Sequence, residues 1–131
     1  MRCNDEYYVT SLFVDDQDKA LQFYTNVLGF VKKHDVPAGK FRWITVVSKD
    51  NEDGTELALE PNDNIAAQDY QNNLMQQGIP ATMFGAEDID KEYERLKSHG
   101  VEFTMEPTAA GDMKLAIFND TCGNLIQLIE Q

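Results

Sequence analysis

Basic residues are scarce in this chain. Eleven Lys and Arg stand against 23 Asp and Glu, a net charge of −12. A surface of that sign repels phosphate backbones, which rules out nucleic acid as a partner. Long apolar runs are also missing. Nothing approaches the roughly 20 residues that cross a bilayer as a helix, so no membrane role is expected. The N-terminal MRCNDEYYV has no apolar stretch of the kind a secretory leader carries. Cysteine is limited to Cys3 and Cys122. Two isolated thiols fit a reducing compartment, free cysteines and a cytoplasmic protein. Glycine-rich phosphate loops, CxxC pairs, HExxH runs and Ser/His/Asp sets do not occur, so no motif assigns a catalytic residue.

What is present is a pattern used twice. In DDQDKALQFYTNVLGF, Asp16 is placed to cap a helix. Ala20, Phe23, Tyr24, Val27 and Leu28 recur at helical spacing, and Gly29 closes the helix. YYVTSLFV before it reads as a strand, and FVKKHDV, FRWITVVS and TELALEP follow as three more. In the second half, Asp88 caps a helix with Ile89, Tyr93 and Leu96 on its apolar face, and Gly100 ends it. ATMFGAE precedes this helix, and VEFTMEP, MKLAIFND and NLIQLIE follow it as strands. Between the halves, Asn64 to Gly78 reads as a linker helix with Ala67, Tyr70 and Leu74 on one face. The chain is thus expected to be α+β. It has a βαβββ module over 7–61, a linker helix over 62–79 and a second βαβββ module over 80–131. One such module buries too little surface to stand alone. Two side by side, with helices on the outer faces, leave a concave trough, where ligand sites concentrate.

The segments DxxKALxFYxxVLGF and FNDTCGNLIQLIE, set in two βαβββ modules, resemble the vicinal oxygen chelate superfamily, the glyoxalase, bleomycin resistance protein and extradiol dioxygenase group. The resemblance runs from Tyr8 to Glu130. It implies an eight-stranded cup, usually with a divalent metal on its floor, and a homodimer. Its metal ligands, on the first, fourth, fifth and eighth strands, fall on Val9, Glu56, Ala81 and Gln127. A slip of two residues on the fourth strand would bring Ala58 or Glu60 to the position instead. Val9 and Ala81 cannot bind a metal, and a catalytic zinc or iron needs about three protein ligands. Neither His34 nor His99 matches a ligand position. The expectation is therefore a member that uses no metal and no cofactor.

Strand alternation then predicts the trough lining. Val9 brings Ser11 and Phe13 to the inner face, Ala81 brings Met83 and Gly85, and Gln127 brings Leu125 and Ile129. Trp43 offers a flat face for a ring or a cation, with Arg42 pointing the other way. Glu56 and Glu60 supply an acid, a base or a counter-charge, although a chain this acidic also scatters carboxylates over its surface. The expected site is Ser11, Phe13, Trp43, Glu56, Glu60, Met83 and Gln127, taking a small organic ligand of cationic or aromatic character. The alternative is a metal-dependent lyase, isomerase or dioxygenase with atypical ligands. Cys122, in the turn DTCGN, has no sequence neighbour that would lower its pKa and reads as structural.

Overall fold

The computed structural model describes residues 6–131, so Cys3 lies outside it. The chain alternates as the two-module pattern predicts. Strands are β1 (Val9–Val14), β2 (Val31–Ala38), β3 (Phe41–Val47), β4 (Glu56–Pro61), β5 (Thr82–Gly85), β6 (Phe103–Ala110), β7 (Met113–Asn119) and β8 (Leu125–Glu130). Helices are α1 (Gln17–Gln22), which runs on as a π-helical turn over Phe23–Val27, α2 (Ile65–Gln77) and α3 (Ile89–Ser98). The strands form two four-stranded sheets of matching order, β1-β4-β3-β2 and β5-β8-β7-β6. In each, the first strand of the module runs parallel to the last, and the remaining pairs are antiparallel. No described helix is long and apolar enough to cross a membrane.

The caps follow from the sequence. Asp16 accepts from the Lys19 amide at 3.0 Å, and Asp88 accepts from the Lys91 amide at 3.2 Å. Beyond Gln22 the hydrogen bonds lengthen by one residue, with Leu28 N–H donating to the Phe23 carbonyl at 3.0 Å. The wider turn ends at Gly29, whose φ of 91° favours glycine. One core collects Leu12, Val14, Ile44, Val46, Leu57 and Leu59 from the first sheet and Ala116, Phe118, Ile126 and Leu128 from the second. Ala20, Phe23 and Tyr24 of the first helix and Ile89 and Leu96 of α3 fill the same core. Arg42 points to this helix side. Its Nε and Nη2 donate to the two carboxylate oxygens of Asp35, each at 3.0 Å, and Nη1 pairs with Asp18 at the start of α1.

The linker helix differs from its sequence-predicted face. Ala67 and Gln71 are buried, while Tyr70 is half exposed. Gln71 is recruited by hydrogen bonding rather than by apolarity. Its Nε2 donates to the Phe13 carbonyl (2.9 Å), the Cys122 carbonyl (3.2 Å) and Asn124 Oδ1 (3.1 Å). Gly123, with φ 102°, passes so close that a Cβ there would lie 2.7 Å from Gln71 Nε2.

Asp120 is the centre of this junction. It is fully buried and accepts four hydrogen bonds: Cys122 N–H (2.7 Å), Asn124 N–H (3.0 Å), Asn124 Nδ2 (2.9 Å) and the Tyr24 hydroxyl (2.6 Å). Burial pushes its carboxyl above the usual range, against the pull of those donors, and burial beside Asp120 pushes the Tyr24 phenol well up. Asp120→Asn leaves one acceptor oxygen for four donors and is expected to cost about 1–3 kcal/mol, the scale of leaving a buried donor unsatisfied, read by chemical denaturation. The folded carboxyl holds its proton more tightly than the unfolded one. Its stabilisation is therefore fullest in acid and is lost as pH rises through the raised value. The wild-type advantage over Asp120→Asn should widen as the pH falls toward the ordinary carboxylate range, read in melting curves.

Candidate functional site

Each sheet has a second face, turned away from the helices. On β1 and β4, where Leu12, Val14, Leu57 and Leu59 enter the core, the alternate residues Ser11, Phe13, Glu56, Ala58 and Glu60 occupy this helix-free face. On β3 the core takes Ile44 and Val46, which puts Trp43, Thr45 and Val47 on the other side. On β8 the core takes Ile126 and Leu128, leaving Leu125, Gln127 and Ile129. Met83, the register partner of Gln127, lies with them and is 53% exposed. All seven expected site residues thus share the helix-free side of their sheets.

They do not gather at one point. A cavity of about 230 Å³ opens where β1 approaches the entry to β5, lined by Ser11, Leu12, Phe13, Tyr70, Ala81 and Asn124. A second, of about 470 Å³, is lined by Pro80, Ala81, Thr82, Met83 and Gln127. Ala81 lines both, so the two adjoin along a seam: the smaller draws on both modules and α2, and the larger lies on the second module alone. This seam holds Ser11, Phe13, Met83 and Gln127. Tyr70 adds its ring, edge-on to Phe13 at 6.5 Å between centroids, and Asn124 closes one end. In the sequence Tyr70 reads as part of the apolar face of the linker helix. Its role follows from where α2 docks, which no local pattern encodes.

Glu56 and Trp43 lie deeper in the first sheet, and Glu60 sits opposite Phe13 in register. Glu56 is 1% exposed. His34 Nε2 stands 3.6 Å from its Oε1 and Lys33 Nζ 3.9 Å from its Oε2. Both exceed hydrogen-bond distance. Among the described residues, its Oε2 and the buried Thr45 Oγ1 find no hydrogen-bond partner. His34 was passed over because it matches no implied ligand position. The other histidine, His99, caps α3 at the surface, with its Nδ1 2.9 Å from the Arg95 carbonyl.

The observed register decides the fourth-strand position. Gln127 sits between Ile126 and Leu128 and pairs with Met83. Ala58 sits between Leu57 and Leu59 and pairs with Ser11. Ala58, rather than Glu56, is therefore the counterpart of Gln127. That leaves Ala58 and Gln127 at the implied ligand positions of β4 and β8, with Val9 and Ala81 at the other two. Among the described residues, no three of His, Cys, Asp or Glu come close enough to hold a metal ion. These donors do not fit a divalent metal site.

A family model described as Glyoxalase/Bleomycin resistance protein/Dioxygenase superfamily matches residues 7–128. The chain is 63% identical over 123 residues to the uncharacterized protein YurT of Bacillus subtilis (strain 168), covering 94% of this chain and 97% of that one. It is 30% identical over 128 residues to a probable lactoylglutathione lyase of Synechocystis, covering 92% of each. Among solved structures, TnmS3, an antibiotic binding protein from Streptomyces sp. CB03234, superposes with a TM-score of 0.74 at 26% identity, covering 99% of this chain and 98% of that one.

Cys122 is buried, and burial together with the Asp120 charge pushes its thiol up to about 12. A thiol so placed presents almost no thiolate at neutral pH. In the folded protein at pH 8, iodoacetamide should leave the Cys122 peptide unmodified by mass spectrometry, and in denaturant it should label it fully. Rapid labelling of the folded protein would show that the turn opens.

Proposed function

This chain belongs to the glyoxalase/bleomycin resistance protein/dioxygenase superfamily, and from that premise we propose that it binds a small organic molecule in the seam between its two modules, without a metal. The observation that carries this reading is the seam itself. An open, mostly apolar cavity joins residues of both modules and holds a few polar groups, which is how small ligands are commonly taken up. Phe13, Tyr70 and Met83 supply apolar area, worth roughly 25 cal/mol per Å² removed from water. Ser11, Gln127 and Asn124 supply the directional contacts. The Gln127 amide is held only by a weak 3.7 Å contact to the Met83 sulfur, which leaves it available to a ligand carbonyl or hydroxyl. The likeness to TnmS3, an antibiotic binding protein, supports sequestration in place of turnover. The lyase reading suggested by the Synechocystis relative lacks support from the donors found here.

The active species is proposed to be a homodimer. β1 and β2 are the outer strands of one sheet and β5 and β6 those of the other, and unpaired strand edges favour association. Light scattering at micromolar concentration should give twice the 14.9 kDa chain mass, and a monomer mass would refute the dimer.

The function is tested by a thermal-shift screen of aromatic and polycyclic compounds, followed by calorimetry on each hit. Phe13→Ala should weaken binding by about tenfold, roughly 1.4 kcal/mol. A chelator should change neither affinity nor melting temperature. A screen without hits, or hits indifferent to Phe13→Ala, overturns the seam as the site. A stoichiometric divalent ion in native mass spectrometry, released by chelator, overturns the metal-free reading.

A further inference from the structure

The seam leaves one anomaly unexplained. Glu56 is an almost completely buried carboxylate with no hydrogen bond from any described residue, although ionisable groups inside proteins are ordinarily paired. Its neighbours among the described residues come from three strands. On β1 its register partner is Val9. On β3, Thr45 and Val47 share its face, and Thr45 Oγ1 is likewise buried without a partner. On β2, at an irregularity in the pairing with β3, Lys33 and His34 approach to 3.9 and 3.6 Å. Lys33 already donates to the Glu52 carbonyl at 3.2 Å, and the His34 side chain is 43% exposed. Two unpartnered oxygens therefore lie under a rim of partly exposed side chains on an edge strand.

Trp43 is on the same face, two residues from Thr45, or about 7 Å along the strand. We propose that Glu56, Thr45 and Trp43 form an amine subsite, so that the ligand carries a protonated amine attached to an aromatic ring. The ammonium donates to Glu56 Oε2 and Thr45 Oγ1, and the indole ring, further along the strand, stacks on the ligand's aromatic ring. His34 is the cover and swings from the strand edge into solvent when the amine enters. Ala58, between the carboxylate and Trp43 on this face, keeps the floor free of a bulky side chain. The net charge of −12 draws cations toward the protein at long range. This rests on the helix-free faces being the ligand site and adds the ligand's chemical class.

The test combines Glu56→Gln with one matched pair of probes, phenethylamine and its uncharged analogue 2-phenylethanol. Trp43 is the only tryptophan, so intrinsic fluorescence reports directly on the subsite. Three results are expected. Glu56→Gln melts no lower than wild type without ligand, because Glu56 accepts no hydrogen bond from a described residue that the change would break. Phenethylamine gives a saturable change in wild type and binds at least tenfold more weakly to Glu56→Gln. The alcohol binds wild type at least tenfold more weakly than the amine. His34→Ala, which removes the cover, should tighten amine binding. A lower melting temperature for Glu56→Gln would make Glu56 a structural partner of Lys33 and His34 and overturn the subsite. Equal binding of amine and alcohol, or no saturable response to the amine at millimolar concentration, would overturn it as well. If screened compounds bind the seam while Glu56→Gln is without effect, only the amine subsite falls.

Discussion

The structure depends on a carboxylate that never reaches solvent. Asp120 gathers two backbone amides, one side-chain amide and one phenol around its oxygens. Two of these bonds shape the turn that launches β8, and a third holds Asn124. The fourth fastens that turn to the first helix, in the other module. Asn124 in turn donates to the Phe13 carbonyl at 2.8 Å, and Gln71 brings in the linker helix. Removing this side chain therefore unfastens three elements at once, because buried polar networks succeed or fail as a unit. The seam cavity borders this junction, with Asn124 and Tyr70 in its wall, so the same contacts that join the modules also position the candidate ligand site.

Much of the fold could be read from local signals. The helix caps at Asp16 and Asp88, and every strand, lie within two or three residues of where patterning puts them. The inner face of each strand followed from alternation, because a period of two leaves no third choice once Leu57 and Leu59 are known to be buried. What escaped were features set by distant parts of the chain. Gln71 is polar and sits on a helix of weak amphipathicity, yet it is buried because three acceptors wait there. Tyr70 looked like a core residue and instead lines the seam. The counterpart of Gln127 on β4 could not be chosen between Glu56, Ala58 and Glu60 by counting motifs, since all three share one parity. Only the pairing of Ala58 with Ser11 and of Gln127 with Met83 separates them.

The two modules share topology and differ in how they fill their helix-free faces. The second sheet presents Met83, Leu125, Gln127 and Ile129, with no charge among them. The first carries Glu56, Glu60, Thr45 and Trp43. A ligand spanning both would meet an apolar wall on one side and an acidic, aromatic one on the other. Duplication supplies the frame, and divergence of side chains on one face supplies the asymmetry that an unsymmetrical molecule requires.

The bond from Asn124 to the carbonyl of Phe13 joins residues 111 positions apart, and the Asp15 amide reaches the Cys122 carbonyl across a similar span. During synthesis the first strand emerges 111 residues before the residue of the turn that secures it. Contacts of such separation slow folding, since a long stretch of chain must be ordered before they form. The contact that closes the first strand onto this turn cannot form until both have been made. A chain severed between its halves loses that closing contact, so the duplicated units are alike in form but no longer separable in practice.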